Sequence, residues 1–351
     1  MKFVYIIGNG FDINLGLKTR YSDFYEYYQK QQTESSVVRD FKQSLLDDEI
    51  ENSLWSDLEL YLGKYLRRIK SHSDFDELID DIRGNLTQYL ERIQDEFKEQ
   101  LEDVVRNPSR RTPSYFTERL LCPERYLRQR EKDDFLGFCS KFNSASYQFD
   151  VITFNYTNTI ESILGLSSNS NRHENLAYRI DTGGRQRVLS SIYHVHGSVY
   201  EDMVLGVNDA SQMSNEKFQR ESDITAQLVK PECNVIQAHG VESKCQDLLR
   251  SCDVVCVFGS SFGETDRLWW DLISEQVESR ACKLVIYEFN SLISLQNRSR
   301  TPRYKRDVIE KIFGRGKVDK VKEGVMVSFN SDIFKLSPIL DVINNKNREF
   351  S

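Results

Sequence analysis

The chain has 351 residues, of which 29% are charged and 39% are hydrophobic, and its formal net charge is −7. This composition is typical of a soluble globular protein with one large domain or two, and the negative charge argues against a non-specific nucleic-acid surface. No apolar run approaches the ~20 residues needed to cross a bilayer, and the short apolar N-terminal run lacks the form of a signal peptide. The seven cysteines show no repeated short spacing, so we expect free thiols and a cytoplasmic protein.

The first predicted element is a buried strand over Lys2–Ile7, an apolar and β-rich run. Two glycines follow at once. Gly8 allows a tight turn, and Gly10 lets backbone N–H groups approach a phosphate. Gly16 comes too late for the usual dinucleotide fingerprint, which has its third glycine at position 13 of this chain. We therefore expect a strand–turn–helix phosphate site of a different pattern, and a tight turn without a ligand is the alternative.

The next part of the chain, from about residue 19 to 145, has a helical pattern. Apolar residues recur at three- and four-residue spacing, most regularly from Leu78 to Phe97 in a helix predicted to extend to Val105. A loop is predicted over 107–113, and a further helix around Phe135–Phe142. This stretch is too long for an ordinary crossover between parallel strands, so residues 31–145 are predicted to form an all-helical insertion domain.

Strand-like sequence returns after this insertion. Strands are predicted over 150–155, 192–196, 203–207, 253–258, 282–287 and 324–328, with a helix from Thr265, as its N-cap, to about Glu278. The alternation of strands and helices predicts an α/β fold with a Rossmann-like, mostly parallel sheet flanked by helices. This domain comprises residues 1–30 and 146–351. In such sheets ligands bind beyond the carboxyl ends of the strands.

Distinctive polar residues stand at the ends of these strands. Asn155 can orient a water or a ribose hydroxyl, although a local asparagine turn is the alternative. His196 can accept a proton near neutral pH, and strand alternation places His194 on the same face. A structural role for the two histidines is the alternative. No third ligand with a recognisable spacing follows, so no metal is predicted.

The turn after the strand over 253–258 repeats the pattern of the first turn. Ser260, Ser261 and the following backbone N–H groups are candidates to hold a ribose or phosphate, and Asp266 to accept from ribose hydroxyls. An acidic residue in the first turn of a helix is the alternative for Asp266. In the helical insertion, Asp57 or Glu59 could reach over the site, or Trp55 could simply anchor a helix.

Six segments together resemble the AbiH family of bacterial abortive-infection proteins: Gly8–Asp12, Tyr21–Phe24, Trp55–Glu59, Thr153–Thr157, His194–Gly197 and Phe258–Asp266. This resemblance implies a role in defence against bacteriophage. The order of the segments is also similar to the sirtuin-like (SIR2) NAD-binding fold, in which the third glycine is spaced as Gly16 is here. That similarity implies that Asn155 and His196 are the catalytic pair.

The same similarity implies an NAD site and NAD as the substrate or ligand. The implied binding residues are Gly8, Asn9, Gly10, Phe11, Asp12, Asp23, Thr153, Gly259, Ser260, Ser261 and Asp266. Three positions depart from sirtuins, with Phe154 in place of glutamine, Thr157 in place of an acid and Asp12 in place of a small hydroxyl residue. The zinc-binding cysteine pairs are also missing. Lysine deacetylation is therefore not expected.

Two functions follow from these implications. The first is hydrolysis of NAD to nicotinamide and ADP-ribose by an abortive-infection effector. The second is a nucleotide-binding sensor or interaction protein without turnover, which the residues at Phe154 and Thr157 favour. A nuclease is a weaker third alternative, because no metal-carboxylate motif supports it. The expected partners are NAD or a related nucleotide, with a phage-derived trigger and self-association as open alternatives, and neither a membrane nor a specific nucleic acid.

Overall fold

The computed structural model describes residues 1–51, 57–105, 112–142, 144, 146–167, 170–237, 240–279, 282–293 and 297–336. The strands are β1 (Lys2–Ile7), β2 (Ser146–Thr153), β3 (Arg172–His173), β4 (Tyr178–Thr182), β5 (Arg185–His194), β6 (Val254–Phe258), β7 (Lys283–Glu288) and β8 (Val325–Phe329).

The helices before β2 are α1 (Gly10–Asn14), α2 (Tyr21–Tyr28), α3 (Ser36–Glu51), α4 (Leu58–Tyr65), α5 (His72–Val105), α6 (Thr112–Leu121) and α7 (Gln129–Cys139). Those after β2 are α8 (Thr159–Leu164), α9 (Ser222–Leu228), α10 (Lys230–Gln237), α11 (Val241–Ser251), α12 (Arg267–Ser279), α13 (Thr301–Phe313) and α14 (Val318–Val321). Short 3₁₀ turns span Leu66–Arg68, Pro123–Tyr126, Ala210–Gln212, Phe218–Arg220, Glu264–Asp266 and Arg298–Arg300.

The described strands form one sheet in the order β3-β5-β2-β1-β6-β7-β8, with β4 also paired to β5. The six strands from β5 to β8 in this order are parallel, whereas β3 and β4 run antiparallel to β5. The predicted α/β class with a mostly parallel sheet is therefore confirmed, and the arrangement is compatible with a Rossmann-like fold.

Side chains alternate between two apolar cores on opposite faces of the sheet. On β1, Phe3, Tyr5 and Ile7 belong to the core that also holds the apolar stripe of α5. Val4 and Ile6 belong to the second core, which contains residues of α11, α12 and α13. The molecule is thus layered as helices, sheet and helices. The helices of 31–145 share a core with β1, and their division into a separate domain stays a prediction.

Most predicted elements are present, with shifted ends. β1 spans the predicted residues, and α5 extends to Val105 as expected. The loop predicted over 107–113 falls mainly outside the described residues, and α6 already begins at Thr112. Within the described residues, no helix has the length and apolar character needed to span a membrane.

Two local predictions are wrong. Residues 203–207 do not form a strand, because Val207 makes only an isolated bridge to Val229, and the backbone of Gly206 packs directly on that of Leu228. Thr265 is not an N-cap, because it lies inside the 3₁₀ turn Glu264–Asp266 that precedes α12. The side chain of Asn208 accepts the Leu268 N–H at 2.9 Å and so satisfies a donor in the first turn of α12 from a distant loop.

Candidate functional site

The ends of four neighbouring parallel strands meet at one edge of the sheet. Ile7 at the end of β1 is in register with Thr153 of β2 on one side and with Phe258 of β6 on the other. Thr153 is in turn in register with His194 of β5. The segments predicted to carry the function therefore begin side by side, as expected for a site in an open α/β sheet.

The two glycine turns at this edge pack on each other, backbone to backbone. The N–H of Gly8 donates to the carbonyl of Phe258 at 3.0 Å, and that of Gly10 to the carbonyl of Gly259 at 2.8 Å. A Cβ on Gly259, whose φ is +72°, would lie 2.6 Å from the nitrogen of Phe11. Close packing of the turns therefore accounts for these glycines, and the N–H groups of Gly8 and Gly10 are engaged within the protein.

Three other residues of the predicted NAD-binding set have structural partners near the first turn. The amide of Asn9 donates to the carbonyl of Thr19 at 2.7 Å and accepts from its hydroxyl at 2.6 Å. The ring of Phe11 is fully buried among core aromatic residues. Asp23 accepts the Arg20 N–H at 3.1 Å at the start of α2. These contacts position α1 and α2, and contact of the three residues with a nucleotide stays a prediction.

The second turn offers side chains that are closer to solvent. Ser260 Oγ accepts the Phe262 N–H at 3.2 Å, and Ser261 is exposed. The ring of Phe262, whose φ is +58°, packs on Trp270 with ring centroids 5.0 Å apart. The turn is thus anchored by an apolar contact, with Ser261 exposed to solvent and Ser260 half-buried.

His194 is a buried structural residue that holds the turn containing Asn155. Its Nδ1 lies 3.0 Å from the backbone oxygen of Asn155, and its Nε2 lies 3.0 Å from Oε1 of Glu161. Both partners are acceptors, so both ring nitrogens carry a proton. Burial alone would lower the pKa of His194, but the Glu161 carboxylate raises it overall. His194 therefore forms a buried ion pair and is not poised to accept a proton.

The side chain of Asn155 lies beside a second buried carboxyl. Thr153 Oγ1 accepts the Asn155 N–H at 3.1 Å, and Thr157 donates its hydroxyl to Oδ2 of Asp12. Burial raises the pKa of Asp12 to about 6, although hydrogen bonds from Thr157 and Asn155 lower it in part. Oδ1 of Asn155 and Oδ1 of Asp12 have no partner among the described residues. Buried acceptors of this kind are normally satisfied, so each of these two oxygens can accept a hydrogen bond from a water or a ligand.

His196 is oriented by a different carboxylate. Its Nε2 lies 2.8 Å from Oδ1 of Asp266, and its Nδ1 has no partner in the part of the chain that is described. The ring of Phe154 packs beside it, with centroids 5.1 Å apart. His194 and His196 thus contact different groups. Asp266 holds the histidine ring through Oδ1, and its binding of ribose hydroxyls stays a prediction.

A buried ion-pair cluster extends from Asp266 into the helical layer. Lys230, at the start of α10, donates from Nζ to Oδ1 of Asp266 at 2.9 Å and to Oε2 of Glu59 at 2.8 Å. The hydroxyl of Tyr156 lies 2.8 Å from Oε1 of Glu59. Burial would raise the pKa of Asp266, but the Lys230 ammonium lowers it well below its usual range. We call Glu59, Tyr156, Lys230 and Asp266 the Lys230 cluster.

Lys230 is the site residue that the sequence gives no reason to select. It is separated from Glu59 by 171 residues, and the sequence around it matches no motif with a known chemistry. Glu59, one of the two acids expected to reach over the site, contacts Lys230, and a role of this residue at a nucleotide site stays a prediction. Asp57 caps α4 by accepting the Leu60 N–H at 2.9 Å, while Trp55 lies outside the described residues.

A cleft of about 270 Å³ opens beside the loop that carries His196. It is lined by Asn171, His194, Val195, Gly197, Asp202, Asn234, Val235, Gly240, Val241, Glu242 and Ser243. Asn155 and His196 themselves are only 6% and 3% exposed and do not line it.

Among the described side chains, no group of three or more histidine, cysteine and acidic residues is arranged to hold a metal ion.

One known protein family matches most of this chain. A family model described as Bacteriophage abortive infection AbiH matches residues 4–288. The matched range extends from β1 to the end of β7 and includes all four strand ends and the Lys230 cluster. No curated protein sequence matches the chain.

Proposed function

The chain belongs to the AbiH family of bacteriophage abortive-infection proteins, and from its role in abortive infection we propose a specific activity, the hydrolysis of NAD to nicotinamide and ADP-ribose. The proposed site is formed by the ends of β5, β2, β1 and β6. A cytoplasmic location, where NAD is available, is part of the proposal.

The observation that carries the proposal is the pair of unpartnered polar atoms on neighbouring strand ends. Nδ1 of His196 and Oδ1 of Asn155 are buried without partners among the described residues. The first can accept a proton when Nε2 donates to Asp266, and the second can accept from a hydroxyl or a water. Together they supply a base and an orienting group, which are the two functions that the reaction needs.

Hydrolysis of the nicotinamide–ribose bond does not require a strong acid or base if the catalytic groups are well placed. The bond between C1′ of the ribose and the nicotinamide nitrogen breaks through an oxocarbenium-like transition state, and nicotinamide leaves as a neutral molecule. A water oxygen then bonds to C1′, and its proton passes to His196. Because the leaving group is already cationic in the substrate, positioning of the water and a base of moderate strength suffice. Asn155 would order the water or the ribose of nicotinamide.

The direct test is incubation of the purified protein with NAD, followed by chromatographic assay of nicotinamide and ADP-ribose. We expect release of both products by the wild type and loss of release in Asn155→Ala and His196→Ala. His72→Ala, which changes a half-exposed histidine bound to Glu221, and Asn85→Ala within α5 are matched controls that should retain turnover. Absence of turnover by the wild type, also in the presence of phage lysate, would refute the proposed activity.

A specific observation favours a second function, nucleotide binding without turnover. Phe154, which stands where sirtuins have a glutamine, places an apolar ring beside His196. Thr157, which stands where they have an acid, donates its hydroxyl to Asp12 and supplies no carboxylate. Calorimetric binding of NAD or ADP-ribose without product release would support this sensor. Light scattering with and without nucleotide would test whether the chain self-associates, and addition of phage lysate would test for a trigger.

A further inference from the structure

One oxygen of Asp266 accepts hydrogen bonds from two buried side chains. Oδ1 lies 2.8 Å from His196 Nε2 and 2.9 Å from Lys230 Nζ. His196 and Lys230 are 3% and 4% exposed, so water does not compete effectively for these contacts. Because Nδ1 of His196 has no partner among the described residues, Asp266 alone determines which ring nitrogen carries the proton.

A neutral histidine beside a buried carboxyl has two possible arrangements. If the carboxyl is ionised, Nε2 carries the proton and Nδ1 keeps its lone pair. If Oδ1 is protonated, it donates to Nε2, and Nδ1 carries the proton instead. Burial alone favours the neutral carboxyl and therefore the second arrangement. The Lys230 ammonium can only donate, and since it occupies the same oxygen it opposes protonation there.

We propose that Lys230, held by Glu59, is a positioning residue that keeps Asp266 ionised and thereby selects the tautomer of His196 whose Nδ1 can accept a proton. Lys230 acts through Asp266 and does not contact the reacting atoms. Its second contact, at 2.8 Å to Oε2 of Glu59, fixes the ammonium between two carboxylates. This couples α4 and α10 to the loop after β5.

The charges around the cluster strengthen this inference. Asp57 at the start of α4 and Tyr21 at the start of α2 also interact electrostatically with the cluster. Three carboxyl groups, from Asp57, Glu59 and Asp266, thus surround Lys230. Without the ammonium, the buried carboxylate of Glu59 and the partly buried ones of Asp57 and Asp266 cannot all stay ionised, because like charges shielded from water repel strongly. Replacement of Lys230 by a neutral residue should therefore favour protonation of Asp266. That protonation in turn changes the tautomer of His196.

The test is nuclear magnetic resonance of the histidine ring nitrogens, which report the tautomer directly. The chain has only five histidines, and His196→Gln assigns the resonance. We expect the wild type to show His196 with a protonated Nε2. Lys230→Met should lose at least half of this tautomer, and Lys230→Gln is the alternative if the methionine variant does not fold. Lys230→Arg should retain it, and Lys217→Met, a change of an exposed lysine, is the control.

The kinetic part of the test rests on the proposed NAD hydrolysis. We expect the kcat of Lys230→Met to fall by about tenfold or more, with little change in KM, since proton transfer typically contributes 10²–10⁴-fold. Its activity should also decline at a higher pH on the acidic side of the profile than that of the wild type. A purely structural role for Lys230 would not shift the profile in this way.

The proposed NAD hydrolysis and the proposed positioning role of Lys230 can be refuted independently of each other. If NAD is not cleaved but the tautomer depends on Lys230, the proposed function is refuted and the positioning role is supported. The positioning role is overturned if wild-type His196 carries its proton on Nδ1 or is doubly protonated at neutral pH. It is equally overturned if Lys230→Met, or Lys230→Gln where the methionine variant does not fold, keeps the protonated Nε2 of the wild type.

Discussion

The backbone N–H of Gly10 donates to the carbonyl oxygen of Gly259 at 2.8 Å, so the turns after β1 and β6 form a single packed unit. A Cβ on Gly10 would lie only 2.5 Å from the Cα of Gly259. We expect Gly10→Ala to lower the free energy of unfolding by about 2 kcal/mol or more, because backbone atoms cannot move aside as a flexible side chain can. Urea denaturation measures this change.

The control for this prediction is Gly84→Ala in the middle of α5. A Cβ at Gly84 meets no atom within 4 Å. Alanine there should raise the free energy of unfolding by about 0.5 to 1 kcal/mol, because glycine is a poor helix former. Equal effects of the two substitutions would contradict the close packing of the turns.

Asp12 should make the protein less stable as the pH rises from about 4 to 6. Its ordinary pKa of 3.8 is raised to about 6 in the folded protein by burial, so the folded state retains a proton that the unfolded state has lost. Asp12→Asn should therefore flatten the pH dependence of stability in this window. At pH 7 it should increase the free energy of unfolding by about 1 to 3 kcal/mol. Urea denaturation between pH 4 and 8 measures both effects.

The control for Asp12 is the exposed Asp247→Asn, which should leave the slope unchanged. A wild-type slope that persists in Asp12→Asn would show that another group titrates in this window.

The buried pair of His194 and Glu161 should stabilise the fold most between pH 4.5 and 6.5, the ordinary pKa values of the two groups. The raised pKa of His194 means that its contribution is lost as the pH rises above 6.5 through the folded pKa. The lowered pKa of Glu161 means that its contribution is lost as the pH falls below 4.5. His194→Gln should cost about 3 to 5 kcal/mol at pH 6 because it leaves a buried carboxylate unpaired.

The double variant His194→Gln with Glu161→Gln should recover part of this loss, since neither buried group is then charged. Its stability should also no longer decline as the pH rises above 6.5. Denaturation at pH 5.5 and 8.5 distinguishes the variants, with the half-exposed His72→Gln as control. A double variant as unstable as the single one would argue against a buried ion pair.

Phe154 should limit the mobility of the His196 ring. Its ring centroid lies 5.1 Å from that of His196 and 5.7 Å from that of Trp270. We expect Phe154→Ala to cost about 3 kcal/mol and Phe154→Leu about 1 kcal/mol, in proportion to the volume removed. If NAD is hydrolysed, the alanine variant should lose more kcat than the leucine variant. Equal kcat values would show that the ring does not restrain His196.

Local patterns in the sequence were sufficient to predict much of the fold. β1 is a continuous apolar run, and α5 repeats its apolar residues at helical spacing, so each element is specified by its own residues. The first part of β5, Arg185–Val188, was not predicted because arginine and glutamine alternate there without an apolar run. β3 was missed because it has only two residues, and β4 because its residues are half-buried or exposed and pair with β5 through contacts that no local pattern records.

The site was predictable only in part. Asn155 and His196 were selected because polar residues are unusual at strand ends, and the structure brings their strands together. The roles of Gly10 and Asp266 were not predictable, because the contact of Gly10 with Gly259 and that of Asp266 with Lys230 depend on the tertiary fold. The sequence around Lys230 gives no indication of its role, since a lysine acquires such a role only when it is buried between two carboxylates.

All seven cysteines, Cys122, Cys139, Cys233, Cys245, Cys252, Cys256 and Cys282, are buried. A thiolate must reach solvent to react, and burial raises the pKa of Cys245 and Cys256 well above its usual range. The folded chain should therefore resist alkylating reagents and oxidants, and each thiol should be modified only when its surroundings open. The rate of modification at each native cysteine would thus show which parts of the molecule open first, without any engineered probe residue.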